Sequence, residues 1–166
     1  MLTTKSHSPA DVVTFTRGPL SITVNYCQPY KKGRVLFGEQ ESEALVKYGE
    51  VWRTGANEAT TINFSQDVKI ENRIISASRY TLWTIPGEYN WTIIINAENT
   101  PGHWGVKFGG KANYDQSKDV QRIVVPAEEL PREEEQFIIQ FEESGSIAFM
   151  KLMWGNIIVR IPIGLI

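Results

Sequence analysis

Short runs of alternating apolar and polar residues, separated by turn signals, constrain this chain more than any other feature of its sequence. From Leu20 to Cys27 the two kinds of side chain alternate with period two, which is typical of a half-buried strand. Further runs recur at a spacing of about ten residues, and residues 86–90 form a predicted hairpin loop between two of them. The pattern predicts an all-β fold: one antiparallel β-sandwich or jelly-roll-like domain of about nine to eleven strands, with minimal helix.

Helix signals are scarce, and a few residues define predicted boundaries. Residues 42–48 could form one or two helical turns with Ser42 as the N-cap. Gly155-Asn156 is a predicted turn, and Pro126 is a predicted strand end. Pro162 predicts that the final strand lies at a sheet edge, because proline cannot donate to a β-ladder.

Length and charge limit the classes of protein to which the chain can belong. Its 166 residues suffice for one domain with a substantial core, predicted over residues 11–166, with residues 1–10 as a flexible tail. Seventeen basic and nineteen acidic side chains give a net charge of -2, which argues against a nucleic-acid-binding protein. No apolar run approaches the roughly 20 residues that a transmembrane helix needs.

Cysteine and histidine are too rare for several kinds of site. The single cysteine, Cys27, excludes an intramolecular disulfide and a zinc site built from several thiolates. With two histidines and no cofactor-binding motif, we expect neither a metal site nor a cofactor. The N-terminus lacks the apolar region of a signal peptide. We therefore expect a periplasmic or cell-envelope location if a leader has been removed, and a cytoplasmic one otherwise.

Residues 51–60, here called the polar block, carry the densest set of candidate functional side chains. They read VWRTGANEAT and have neither helical nor strand periodicity. Arg53, together with Arg34 upstream, could anchor an anion or a sugar, because an arginine fork matches carboxylates and phosphates. Trp52 offers a flat apolar face for stacking, Asn57 an amide that donates and accepts, and Glu58 an acceptor. These five residues form a predicted pocket for a small polar or anionic ligand, with a carbohydrate as one option.

The same residues allow two other interpretations. Arg53 and Glu58 could pair with each other, or with Arg34, and the polar block would then only satisfy backbone groups at one end of the sheet. Glu58 could also act as a general base in a hydrolase-like enzyme, although the sequence places no second acid beside it. No Gly-x-Ser-x-Gly elbow, phosphate loop or His-Glu-x-x-His motif occurs, so an enzyme is the less favoured of these hypotheses.

The order of motifs resembles the bacterial family of unknown function numbered 2911. The resemblance rests on residues 24–29 (VNYCQP), 32–38 (KGRVLFG) and 48–60 (YGEVWRTGANEAT). It continues through residues 80–86 and 91–96, Trp104-Gly105, Tyr114 and Asp119-Val120 to the strand pair that ends near Ile163. It therefore spans nearly the whole domain, from about Ser8 onward.

The resemblance implies a single β-rich domain, common in Bacteroidetes-type bacteria and usually exported behind a leader. It implies no activity, cofactor or catalytic residue. Cys27-Gln28 stands where the family tends to show serine and arginine, so a ligand site that used that arginine would lack one cation here. The favoured hypothesis is a non-catalytic envelope or periplasmic domain that binds a small polar ligand; the sequence does not predict an oligomeric state.

Overall fold

Eleven strands and one 3₁₀ turn make up the secondary structure of residues 7–166, the part of the chain that a computed structural model describes. The all-β prediction is confirmed, and the strand number falls within the predicted range. In chain order the strands are β1 Ala10–Arg17, β2 Leu20–Cys27, β3 Phe37–Gly38, β4 Val46–Lys47, β5 Thr61–Phe64, β6 Val68–Ile70, β7 Arg73–Ile75, β8 Arg79–Ile85, β9 Asn90–Asn96, β10 Asp119–Ser144 and β11 Ile147–Leu165, with the 3₁₀ turn at Gln116–Lys118.

Nine of these strands form one antiparallel sheet, in the order β1-β2-β5-β8-β9-β10-β11-β6-β7. The long strand β10 joins its two halves: Asp119–Pro126 pair with β9, and Ala127–Ser144 pair with β11. β8 and β9 form the predicted hairpin, but its loop covers residues 86–89, because Asn90 already belongs to β9. β3 and β4 form a separate parallel pair, in which Phe37 lies opposite Val46.

The sheet curls so that strands distant in its order face each other across one core. Phe15 of β1 packs on Phe141 of β10 with ring centroids 5.7 Å apart, and Tyr26 of β2 meets Phe137 edge-on at 5.7 Å. The Tyr26 hydroxyl also accepts a hydrogen bond from the Ile139 backbone N–H at 3.0 Å. Most buried apolar side chains belong to this single cluster, which gives the domain two packed layers. The jelly-roll-like connection stays a prediction.

The predicted helix at residues 42–48 does not form. The Ser42 hydroxyl instead donates to the Glu39 carbonyl at 2.6 Å and accepts from the Ala44 N–H at 3.2 Å, which makes a turn. Val46 is buried and pairs with β3, so tertiary pairing prevails over local helix preference.

Three predicted boundaries are wrong, because the last two strands are longer than local signals suggest. Pro126 lies within β10, where the strand changes its partner from β9 to β11, and its missing N–H is tolerated there. Gly155 lies within β11 with φ of 58°, beside a register shift rather than a turn. Pro162 lies between the segments of β11 that pair with β10 and with β6, so the final strand is internal to the sheet.

The predicted tail falls partly outside the described residues, which begin at His7. Within the described part, Ser8 is buried and the Pro9 carbonyl accepts a hydrogen bond from the Gln28 N–H at 2.8 Å. Ser8 and Pro9 therefore lie beside the end of β2 and lead directly into β1.

Candidate functional site

The polar block folds into a turn with left-handed backbone at three positions. Thr54 has φ of 59°, Gly55 150° and Asn57 58°. Positive φ is uncommon outside glycine and is an outlier for a β-branched residue such as Thr54. A Cβ at Gly55 would lie 2.9 Å from the Cys27 carbonyl oxygen, so glycine is also required by the close approach to β2.

Buried hydrogen bonds to the central strand β8 hold this turn. Trp52 and Thr84 exchange backbone bonds of 2.7 and 3.1 Å. The fully buried Thr54 hydroxyl lies 3.2 Å from the Trp52 carbonyl and 3.0 Å from the Thr84 hydroxyl. The Thr60 hydroxyl donates to the Thr54 carbonyl at 2.6 Å. Such over-determined strain is a recurrent property of ligand and active sites.

Trp52 belongs to the hydrophobic core. Its side chain is 6% exposed, and its ring stacks on Trp154 at 5.9 Å with an interplanar angle of 12°. Trp91 and Phe37 approach its ring edge-on at 6.0 and 5.6 Å. A ring so enclosed contributes a wall to a cavity but has no open face on which to stack a sugar.

Arg53 leaves the same turn toward the surface and is only partly buried. Its Nε atom is fully buried and is the one such side-chain nitrogen or oxygen in residues 7–166 that has no hydrogen-bond partner. Burial lowers the pKa of Arg53 from its ordinary value, and the nearby Cys27 thiol acts in the opposite direction. A buried hydrogen-bond donor that lacks an acceptor costs free energy, and more so when it belongs to a cation. A bound water molecule or ion would explain this Nε atom.

Arg34 lies at the end of a tight turn that brings a second cation to Arg53. Lys32 and Gly33 both have positive φ, and the Arg34 N–H closes the turn on the Lys31 carbonyl at 3.0 Å. The Arg34 side chain donates from Nε to the Lys31 carbonyl at 3.0 Å and from Nη2 to the Tyr30 carbonyl at 2.6 Å. These neutral acceptors orient the guanidinium, and no carboxylate among residues 7–166 lies within 4 Å of it.

Arg34, Trp52 and Arg53 line one cavity of about 330 Å³, here called the basic cavity. Lys32 also lines it, and the Lys32 Nζ lies 3.0 Å from His7 Nδ1. The remaining lining is small or apolar: Ser8, Pro29, Leu45, Val46, Gly55 and Ala56. Within the described part of the chain, no aspartate or glutamate lines the basic cavity.

The other two predicted site residues lie elsewhere. The Asn57 side chain is buried, and its amide donates to the Ser8 carbonyl at 3.4 Å. Glu58 lines a separate cavity of about 400 Å³ together with Asp11 and His103, and one of its oxygens is 3.9 Å from the Cys27 sulfur. The five predicted residues therefore divide into a set of three at the basic cavity and two outside it.

Sequence reasoning missed Lys32 and the residue that covers Arg53. Lys32 stands in the cluster Lys31-Lys32-Gly33-Arg34, and this turn signal beside Arg34 could have indicated it. Gly105 lies directly on the Arg53 side chain, and its N–H donates to the Asn57 carbonyl at 2.9 Å. No local pattern links residue 105 to the polar block, because the contact depends on the path of a long loop.

The described residues contain no group of three or more histidine, cysteine, aspartate or glutamate side chains placed to hold a metal ion. Over the same residues, no helix is long and apolar enough to cross a bilayer.

The fold and the cavity together define a class: a single-domain all-β protein with a basic cavity at a strained, strand-anchored turn. The chain belongs to the family described as "Protein of unknown function (DUF2911)", whose family model matches residues 8–163. Comparisons with curated proteins and with solved structures found no match.

Proposed function

We propose that this domain binds a small anionic ligand in the basic cavity and performs no catalysis. The observation that carries the proposal is the meeting of Lys32, Arg34 and Arg53 around one cavity whose described lining has no carboxylate. The volume is near the lower end of the roughly 300–1,000 Å³ typical of ligand pockets, which suits a small molecule.

Carboxylates neutralise only some of the cations that the structure describes. Arg17, Lys31, Lys118, Arg122, Lys151 and Arg160 each lie within 4 Å of a carboxylate. Among the described residues, none of Lys32, Arg34 and Arg53 has such a partner. Like charges that share a cavity repel, and Arg53 is also desolvated. A bound anion would relieve both costs, which explains why the fold tolerates the arrangement.

The site proposed here is narrower than the five-residue pocket that the sequence predicts. Arg34 and Arg53 keep their roles as cationic anchors, and Lys32 joins them. Trp52 serves as a buried wall. Carbohydrate stacking on Trp52 is not part of the proposal, because Trp154 covers a face of its ring.

The location that we propose is the periplasm or cell envelope. This rests on what the family resemblance implies, as does an origin in Bacteroidetes-type bacteria. Fractionation of the native host followed by immunodetection tests the location: the protein should be in the envelope or periplasmic fraction, and recovery only with the cytosol would contradict it.

A thermal-shift screen tests the anion-binding function. Sulfate, phosphate, citrate and phosphorylated sugars should raise the melting temperature, since a ligand at 100 times its dissociation constant adds about 2.7 kcal/mol of stability. Neutral sugars serve as the comparison. Arg53→Met should abolish the shift, whereas Arg160→Met, a surface arginine paired with Glu142 at 3.1 Å, should keep it. Equal shifts in both variants, or none with any anion, would overturn the proposal and favour a purely structural scaffold.

A second candidate function is hydrolysis with Glu58 as the general base. The observation in its favour is that Asp11 and His103 line the same cavity as Glu58. His103, however, is held by Asn113, whose carbonyl lies 2.7 Å from its Nε2 atom, and by Glu98, whose carboxylate lies 3.6 Å from Nδ1. Turnover of chromogenic ester or glycoside substrates that Glu58→Gln removes would support hydrolysis; equal background rates in both proteins would exclude it for those substrates.

A further inference from the structure

The charge balance of the basic cavity allows the ligand class to be narrowed. A single negative charge would leave two of the three cations Lys32, Arg34 and Arg53 without compensation. Arg34 has already committed two of its donor groups to backbone carbonyls, so it acts mainly through its charge and its remaining N–H groups. Arg53 makes no hydrogen bond through Nε to any residue that the structure describes, and the Lys32 ammonium group lies 3.0 Å from His7 Nδ1.

We infer that the basic cavity selects a doubly charged, phosphate-monoester-type group carried on a small organic body. This inference rests on the proposed function and adds to it the charge and geometry of the ligand. A phosphoryl group presents three acceptor oxygens, which suits donors arriving from several directions. The organic body would lie against the apolar part of the lining, which includes Pro29, Leu45 and Val46.

Charged and titratable groups around the cavity determine how binding should respond to pH. The charged or titratable side chains in the lining are His7, Lys32, Arg34 and Arg53, with Cys27 close to Arg53. Outside the lining, the Glu135 carboxylate accepts from the Lys32 backbone N–H at 3.1 Å. Proton uptake by the protein can only make these surroundings more positive, because it either adds a positive charge or removes a negative one. Proton uptake by the protein would therefore strengthen anion binding as the pH falls.

A doubly charged monoester behaves in the opposite way. Its second ionisation has a pKa of about 6, so the doubly charged fraction falls about tenfold between pH 7 and pH 5. Binding of the dianion should weaken by up to about the same factor over this range. A fall in affinity for the monoester in acid would therefore come from protonation of the ligand, because proton uptake by the protein has the opposite effect.

The test is calorimetric titration of the whole chain with methyl phosphate and dimethyl phosphate. These probes are similar in size but carry two charges and one at pH 7.5. Methyl phosphate should bind at least about tenfold more tightly, a difference of about 1.4 kcal/mol. Inorganic sulfate, which stays doubly charged from pH 5 to pH 7.5, is the control for titration of the protein. Its affinity should stay constant or rise as the pH falls, while that of methyl phosphate should fall.

The possible outcomes distinguish failure of this inference from failure of the proposed function. Equal affinities for the two esters, both lost in Arg53→Met and kept in Arg160→Met, would overturn selection of a dianion and leave anion binding intact. Equal weakening of sulfate and methyl phosphate binding in acid would also overturn selection of a dianion. Binding of neither ester nor sulfate would overturn both proposals. Circular dichroism of Arg53→Met establishes that a lost signal does not reflect unfolding; if it is unfolded, Lys32→Met replaces it.

Discussion

Gly105 lies on the aliphatic part of Arg53 so closely that no side chain fits between them. A Cβ at residue 105 would approach Arg53 Cβ to 2.9 Å and the Asn57 carbonyl oxygen to 2.8 Å. The Gly105 carbonyl accepts a hydrogen bond from the Asn113 N–H at 3.0 Å, which holds together the loop of residues 97–115, here called the covering loop. The loop therefore fixes the course of the arginine at the edge of the basic cavity.

Gly105→Ala should destabilise the domain by about 1–3 kcal/mol, because the loop or Arg53 has to shift to make room. It should also weaken anion binding. Gly145→Ala is the control: that glycine has φ of 59° and no heavy atom within 4 Å of an added Cβ, so its substitution costs backbone strain alone. Urea unfolding and anion titration of both variants measure the two effects. Unchanged anion affinity in Gly105→Ala would mean that the covering loop does not influence anion binding in the basic cavity.

Thr54→Val should destabilise the domain by about 1–3 kcal/mol, since valine keeps the shape of the side chain but removes a buried hydroxyl that contacts Thr84. Thr14→Val is the matched control, because the Thr14 and Thr23 hydroxyls are 3.5 Å apart on an exposed surface. That change should stay within about 0.5 kcal/mol. Equilibrium unfolding in urea measures both. Equal changes in the free energy of unfolding would mean that the buried hydroxyl of the strained turn stabilises the domain no more than an exposed one.

Trp52→Ala should cost about 3–5 kcal/mol, as expected for removing a large core side chain. Trp104 provides the comparison, because its side chain is 42% exposed and Trp104→Ala should change stability by no more than about 0.5 kcal/mol. Chemical denaturation of the two variants distinguishes the core tryptophan from the surface one. A small loss of stability in Trp52→Ala would contradict its assignment to the core and would favour the predicted ligand-stacking role.

Glu98 anchors the start of the covering loop, and its titration should be visible in acid. Hydrogen bonds from the Thr100 hydroxyl and backbone N–H lower the pKa of Glu98 to about 2, with smaller help from His103 and Lys118. A depressed carboxyl pKa stabilises the fold above its ordinary value of 4.5, and this contribution is lost as the pH falls toward 2. Carbon-detected NMR should find the low pKa in the native chain and a higher one in Thr100→Val. Titration of Glu98 near 4.5 in both proteins would contradict the predicted shift.

The strand pattern predicted the fold class because period two depends only on neighbouring side chains. The alternation from Leu20 to Cys27 corresponds directly to β2. Long-range pairing determined what the pattern could not predict. Pro126 and Gly155 are local signals of a break. β10 nevertheless continues through Pro126, where its pairing passes from β9 to β11, and β11 continues through Gly155, which pairs with Glu134.

The sequence was enough to predict the two arginines of the candidate site, but not which neighbouring residues belong to it. Arg34 and Arg53 are brought to one cavity, as the sequence suggested. Trp52 and Glu58 are close to Arg53 in the sequence, but the left-handed turn separates their side chains. The Trp52 side chain enters the core, and the Glu58 side chain lines another cavity. Side chains that are close in sequence have predictable directions only where the backbone is regular, and the backbone of this turn is irregular.

The central claim is that Arg53 is an anion anchor, and its own N–H resonance tests that claim most directly. A titration of ¹⁵N-labelled protein with sodium sulfate, followed at the arginine Nε–H signals, compares Arg53 with Arg160 in one sample. We predict a saturable shift of the Arg53 signal, with Arg160 responding only weakly and without saturation. An Arg53 signal that stays in place, or that moves only in parallel with Arg160, would contradict the claim.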